Sequence, residues 1–273
     1  LERIIYGLTG APASRDLHLP VVVVDMKADP DLASTLAAIA KQTGRQFHHV
    51  TVDATGTSYN PLAGLTADEA ADALYETLFA ADQNVNLHYA TLSRRLLQQA
   101  CRVCIDLADV RVARVGGGTW QIGLADVADL LNLDTLRSVN PYLSPAVAAS
   151  LTRYLADLDA SKNEGDVGDV RDRVAVIVDT DAGRTLDATG FQLEQAIRAG
   201  DIVCLSLDAA GAPQTARTIG TLAVQDLCAT FGRLARDGWG KTHMCPVILD
   251  EFGALGTPRV ADLYARARSA GGA

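Results

Sequence analysis

The sequence has no long apolar run, no low-complexity tract and no block of like charge, so collagen, coiled coil and disordered chains are excluded. Its run Val21–Val24 is far shorter than the roughly 20 apolar residues of a membrane-spanning helix. Basic residues are in the minority, 24 against 33 acidic ones, which argues against non-specific coating of nucleic acid and leaves only a focal DNA contact. What remains is a globular chain of 273 residues, enough for one large domain or two ordinary ones.

Cysteine is present in an odd number, five residues, which favours a reducing compartment over a disulfide framework. The one close pair, Cys101 and Cys104, lies within an apolar helical stretch, and no second ligand pair stands at zinc-like spacing. We therefore expect both thiols to be packed in a core. His48 and His49 end no metal motif and are also interpreted as structural.

Hydrophobic periodicity predicts an α/β domain split by a helical block. Strands are predicted at Val21–Asp25, Phe47–Val52, Ile202–Leu207 and Val247–Asp250, with a long helix over Pro213–Arg236. Such alternation of strands and helices favours a parallel sheet, whose chemistry sits at the carboxyl ends of its strands. Between residues 59 and 185 the β-branched runs vanish, which predicts an all-alpha insertion between an α/β part at 1–58 and another at 186–273.

An apolar strand that ends in two acids, PVILDE over Pro246–Glu251, has the pattern of a Walker B strand. The alternative is a buried strand that ends in a solvated acidic turn. A Walker A motif, G-x-x-x-x-G-K-[ST], is not present. The segment Ala235–Thr242 lacks the first glycine and precedes a strand, so it is interpreted as a surface loop. Either the chain binds no nucleotide, or it is a fragment whose phosphate loop lies upstream of Leu1.

Three segments follow one another along the chain: VVVVDMKAD at 21–29, YNPL at 59–62 and VILDEFGALGTPRVADLYARARSAG at 247–271. Together they resemble the motor domain of type IV secretion coupling proteins, the TraG/TraD-type conjugation ATPases. The strand and helix over 202–227 are similar to the same family. The resemblance implies a RecA-like P-loop ATPase of the FtsK/HerA superfamily that binds ATP and Mg²⁺. In that family the phosphate loop precedes the first of these strands, and residues 1–58 and 186–273 would be the two parts of the nucleotide-binding domain.

The resemblance also implies roles for single residues. Asp250 would be the carboxylate associated with Mg²⁺, and Glu251 the catalytic base or the residue that orients water. Arg268 matches an arginine that faces the nucleotide of a neighbouring subunit; a solvated helix charge is the alternative. Asp25 and Lys27 match the family's Asp-x-Lys and are assigned to the neighbourhood of the nucleotide, although Ala28 stands where the family commonly carries glycine.

The family context implies a homo-hexameric ring at the cytoplasmic face of the bacterial inner membrane, anchored by segments outside this sequence, which moves DNA or protein into a secretion channel. The helical block carries about 18 acidic against 11 basic residues. This excess of acidic residues favours a surface that docks relaxase, effector or adaptor proteins and channel components over one that binds phosphate. DNA would pass through a central pore of the ring. Arg94, Arg95 and Arg102 form either a small basic patch or a solvated face. Two other functions remain open: another FtsK/HerA DNA translocase, or a non-catalytic docking module.

Overall fold

The computed structural model describes residues 19–79, 86–115, 120–161, 163–255, 259–269 and 272. The strands are Val21–Asp25 (β1), Phe47–Thr51 (β2), Ile202–Ser206 (β3) and Val247–Asp250 (β4). The helices are Pro30–Thr43 (α1), Ala67–Phe79 (α2), Leu87–Val115 (α3), Leu124–Leu130 (α4), Leu133–Ser138 (α5), Pro145–Ser161 (α6), Gly168–Val178 (α7), Asp181–Thr185 (α8), Leu193–Ala199 (α9), Pro213–Arg236 (α10) and Arg259–Ser269 (α11). Single 3-10 turns cover Asn140–Tyr142, Glu164–Val167, Trp239–Lys241 and Phe252–Ala254.

The four strands form one parallel sheet in the order β2-β3-β1-β4, which confirms the predicted parallel α/β sheet. Each residue of β1 is at most 1% exposed, so this inner strand is covered on both faces, as parallel strands usually are. One face packs on α1, and the buried residues of this contact are Val21, Val23, Leu32, Leu36, Ile39, Ala40, Ile202 and Cys204. The carboxyl ends of all four strands therefore lie along the same edge of the sheet.

Local sequence signals explain both ends of α1 and the start of α10. In α1, the side chain of Asp29 accepts a hydrogen bond from the backbone N–H of Asp31, Pro30 occupies the first turn, and Gly44 ends the helix at φ +70°. In α10, Pro213 again stands in the first turn. This helix is buried on nearly all sides between residues 216 and 231, so it is a core element of its unit.

The chain divides into two compact units. The first contains the described residues of segments 1–61, 184–186 and 190–273, and the second those of 62–183 and 187–189. Helices and 3-10 turns are the regular structure of the second unit's described residues. Its first helix, α2, begins at a capping box in which Thr66 and Glu69 each bind the other's backbone N–H through their side chains. In the described part of the chain, none of the helices is both long and apolar enough to cross a bilayer.

Candidate functional site at the carboxyl edge of the sheet

The strand register brings the polar strand ends together. Asp25 at the end of β1 pairs with Asp250 at the end of β4, and on its other side with Ser206 at the end of β3. Thr51 at the end of β2 completes the row beside Ser206. Two of the residues predicted for the nucleotide site, Asp25 and Asp250, are therefore neighbours across one strand pair. Their proposed roles stay predictions.

Asp25 shapes the loop that follows β1. Its side chain is buried, with a residue exposure of 1%, and its two carboxylate oxygens accept hydrogen bonds from the backbone N–H groups of Lys27 (2.9 Å) and Asp29 (2.7 Å). Within this loop Ala28 adopts the left-handed conformation, φ +55°, which costs a residue with a Cβ about 1–2 kcal/mol. The carboxylate thus fixes a backbone conformation that alanine alone disfavours.

The loop after β1 is also tied to the chain beyond β3. Leu207 donates its backbone N–H to the carbonyl of Asp25 at 2.7 Å, and Ala209 donates to the carbonyl of Met26 at 3.0 Å. Side-chain and backbone hydrogen bonds together therefore define the position from which Lys27 extends.

Lys27 and Glu251 form the ion pair of this edge. Lys27 Nζ lies 2.9 Å from Glu251 Oε1, and the two side chains are 54% and 51% exposed. The hydrogen bond to Glu251 and then its charge raise the pKa of Lys27; burial opposes this, and the charges of Asp250 and Asp25 add to it. Like Ala28, Glu251 is left-handed, with φ +51°, so the chain turns sharply where β4 ends. Strained backbone of this kind concentrates at functional sites.

The carboxylates at the end of β4 suit a magnesium ion that shares its coordination with a substrate. Asp250 is partly buried and Glu251 is exposed, and both offer the hard oxygen ligands that Mg²⁺ prefers. Among the described residues, no group of three or more histidine, cysteine, aspartate or glutamate side chains could hold a metal ion. A magnesium ion here would thus need phosphate oxygens and water as further ligands, which is its usual mode of binding in phosphate-transferring enzymes.

Arg268 lies in α11, but its side chain is outside the described part of the structure, so its role stays a prediction. The segment rejected as a phosphate loop leaves α10 through Gly238, at φ +72°, and forms the 3-10 turn Trp239–Lys241 ahead of β4. It therefore lies at the amino end of β4, opposite the carboxylate edge. The structure agrees with its interpretation as a surface loop.

A buried polar cluster in the first unit was missed by sequence reasoning. Tyr59 donates its hydroxyl to Asp226 Oδ2 at 2.7 Å, and Thr230 donates to Oδ1 at 3.2 Å. Tyr59 and Asp226 are 1% and 2% exposed, and burial raises the pKa of Asp226 to about 7 although its hydrogen bonds and Arg233 act in the opposite direction. Arg233 lies 3.8 Å from Asp226 Oδ1 and also pairs with Glu194. An acid inside a long helix is usually solvated, so the sequence offered little signal for this position.

The histidines and cysteines have structural surroundings. His48 Nε2 lies 3.0 Å from Asp201 Oδ2, and His49 Nε2 lies 2.9 Å from Ser206 Oγ. Burial lowers the pKa of His49, which favours its neutral form. All five cysteines are buried free thiols, Cys101 among them.

The arginines of α3 are paired with acids of the same helical unit, which favours the solvated face over a basic patch. The pairs are Arg94 with Asp72 at 2.8 Å, Arg95 with Asp157 at 3.2 Å and Arg102 with Asp68 at 3.7 Å. Each guanidinium therefore has a carboxylate as its neighbour. We expect little attraction of this face for phosphate.

No protein-family model matches the chain, and no curated protein matches it in sequence. Among solved structures it is similar to the bacterial conjugative coupling protein TrwBdeltaN70 in an unbound form, with a TM-score of 0.47 and 13% identity over 96% of this chain and 61% of that one. It is also similar to the plasmid coupling protein TrwB in complex with ADP and Mg²⁺ (TM-score 0.47, 11% identity, 96% and 63% covered). VirB4 of Thermoanaerobacter pseudethanolicus matches with a TM-score of 0.46 and 14% identity over 95% and 87%.

The chain thus spans 61% of the length of the first of these structures. The matches include conjugative coupling proteins, the kind of protein that the sequence resembles. Identities of 11–14% and TM-scores below 0.5 leave the function to be argued from the site itself.

Proposed function

We propose that this chain is part of the ATP-driven motor of a type IV secretion coupling protein, with an all-alpha domain inserted into a RecA-like ATPase core. The observation that carries the proposal is the meeting of Asp25 and Lys27 with Asp250 and Glu251 at the carboxyl edge of one parallel sheet. This edge is where parallel α/β sheets bind their ligands. The resemblance to coupling proteins, carried by segments in the same order along the chain, also supports a nucleotide site at the ends of β1 and β4.

In the proposed reaction, water attacks the terminal phosphate of ATP to give ADP and inorganic phosphate. Asp250 would hold Mg²⁺, which would neutralise charge on the phosphates. Glu251 would orient the attacking water and accept its proton. The triphosphate-binding loop would come from a segment outside these 273 residues. Arg268 of a neighbouring copy would stabilise developing negative charge on the transferred phosphate, so that hydrolysis depends on ring assembly.

The proposed partners follow the division of the chain into two units. The acidic helical unit would dock relaxase, effector or adaptor proteins, because its excess of carboxylates disfavours a phosphate backbone. DNA, where it is the cargo, would pass through the pore of a homo-hexamer. The full protein would work at the cytoplasmic face of the inner membrane, together with the secretion channel.

ATP hydrolysis by the full-length protein tests the proposal, measured with and without single-stranded or double-stranded DNA. Glu251→Gln should lower kcat at least about 100-fold and spare nucleotide binding, because a positioned base contributes roughly 10²–10⁴-fold. Asp109→Asn, a loss of one exposed charge from α3, is the matched control. Normal turnover by the Glu251 variant would remove this residue from the mechanism. No turnover by the unaltered protein under ring-forming conditions would favour the docking module.

A further inference from the structure

Lys27 and Glu251 project from backbones that neighbouring interactions hold in place. Lys27 stands in the loop that Asp25 ties down through two backbone N–H groups. Glu251 is the first residue after β4, and its carbonyl accepts a hydrogen bond from Ala254 at 2.9 Å within the 3-10 turn. Since β1 and β4 are adjacent, the two loops leave the sheet side by side.

The ion pair is too exposed to be explained by stability. With both side chains about half in water, such a pair contributes little to the stability of the fold, and less at high salt. The loops after β1 and β4 nevertheless each contain a left-handed residue, Ala28 and Glu251, and both residue types disfavour that conformation. The unfavourable backbone conformations in these two loops therefore indicate that the ion pair has a role other than stabilising the fold.

We propose that Lys27 is a positioning residue for Glu251. Its ammonium holds Oε1 of the carboxylate, which leaves Oε2 to orient the attacking water and accept its proton. This inference rests on the proposed function, in which Glu251 activates water. Lys27 itself need not touch the nucleotide. The geometry that supports it is the contact of 2.9 Å between two side chains whose loops are fixed independently.

A positioning role predicts a specific kinetic signature in the full-length protein. Lys27→Met should lower kcat by about 10-fold or more and change the KM for ATP by less than about 3-fold, because Glu251 loses its orientation while substrate binding is spared. Lys27→Arg, which keeps the charge and the donors, should retain most of the turnover. Lys41→Met, at an exposed lysine in the last turn of α1, is the matched control and should behave like the unaltered protein. A larger KM with unchanged kcat, or no change at all, would overturn the proposal.

A spectroscopic measurement tests the pair without turnover. In protein with ¹³C-methylated lysines, Glu251→Gln should move the NMR signal of Lys27 and leave that of Lys41 in place. An unmoved Lys27 signal would show that the pair does not form in solution, and the inference would fail.

The two proposals fail in different ways. If Glu251→Gln retains turnover, the proposed role of Glu251 is wrong, and the positioning role fails with it. If Glu251→Gln is inactive and Lys27→Met is fully active, the proposed function stands and the positioning role alone is wrong.

Discussion

Replacing Asp226 with asparagine should flatten the pH dependence of the first unit's stability. Burial raises the pKa of Asp226 from 3.8 to about 7 in the folded protein, so the folded state binds this proton more tightly than the unfolded chain does. The stability that the protonated carboxyl contributes is therefore complete below about pH 4 and is lost as the pH rises through 7. About three pKa units at roughly 1.36 kcal/mol each amount to about 4 kcal/mol.

The assay is urea unfolding between pH 5 and pH 8, followed by the fluorescence of Trp239 in a Trp120→Phe background. Trp239 belongs to the first unit and Trp120 to the second, so the signal reports on the first unit even if the two unfold separately. At pH 5 the parent has already lost about one pKa unit of this contribution, because the unfolded chain ionises above pH 3.8. Between pH 5 and pH 8 the parent should lose about 3 kcal/mol more relative to the variant, because at pH 8 it keeps a buried charge.

Comparing the Asp226→Asn variant with its parent cancels the contribution of other titratable groups to the pH dependence of stability. Burial lowers the pKa of His49, which gives a slope of opposite sign in the same pH window, and this slope is common to both proteins. Asp237→Asn, which removes an exposed carboxylate paired with Arg198, is the control and should leave the slope unchanged. Parallel pH profiles for the Asp226 variant and its parent would refute the reasoning, since they would mean that Asp226 is already ionised in the folded protein at pH 5.

Three further substitutions test packing and capping by the same unfolding assay. Tyr59→Phe should destabilise the first unit by about 1–3 kcal/mol at pH 8, since Asp226 loses a buried donor, and a smaller loss at pH 5 is expected. Gly220→Ala should destabilise that unit, because a methyl group would press against the side chain of Leu255; the gain of about 1 kcal/mol typical of an exposed helix would contradict this. Thr66→Ala should cost the second unit about 1 kcal/mol, measured by Trp120 fluorescence in a Trp239→Phe background instead, and an unchanged midpoint would show that its cap is dispensable.

The strands were predictable because their patterns are local. The run Val21–Asp25 is β-branched and ends in an acid, and β1 has those bounds in the structure. The strand β4 also has its predicted bounds, Val247–Asp250, and α10 begins and ends at the predicted Pro213 and Arg236. Once two apolar strands of a parallel sheet end in acids, their meeting at one edge follows from the fold class. The sequence therefore predicted which elements border the candidate site.

The contacts within the site could not be predicted in the same way, because they depend on strand order. Lys27 and Glu251 are distant in sequence, and their contact requires β1 to lie beside β4. The burial of Asp226 depends on α10 being enclosed on nearly all sides, so that polar positions of this helix are buried together with its apolar ones. Tyr59 carried a family resemblance, but nothing near it in the sequence indicated its partner.

The Asp-x-Lys segment after β1 has a physical explanation in this structure that does not require the aspartate to touch a nucleotide. Both carboxylate oxygens of Asp25 are engaged by backbone N–H groups, while Lys27 extends into solvent toward Glu251. The first residue of the motif therefore shapes the loop, and the third presents a charge. Glycine in place of Ala28 would relieve the left-handed strain and also loosen the loop that presents Lys27. Alanine keeps the loop stiff, because it has fewer alternative conformations than glycine, and a stiff loop is what a positioning lysine requires.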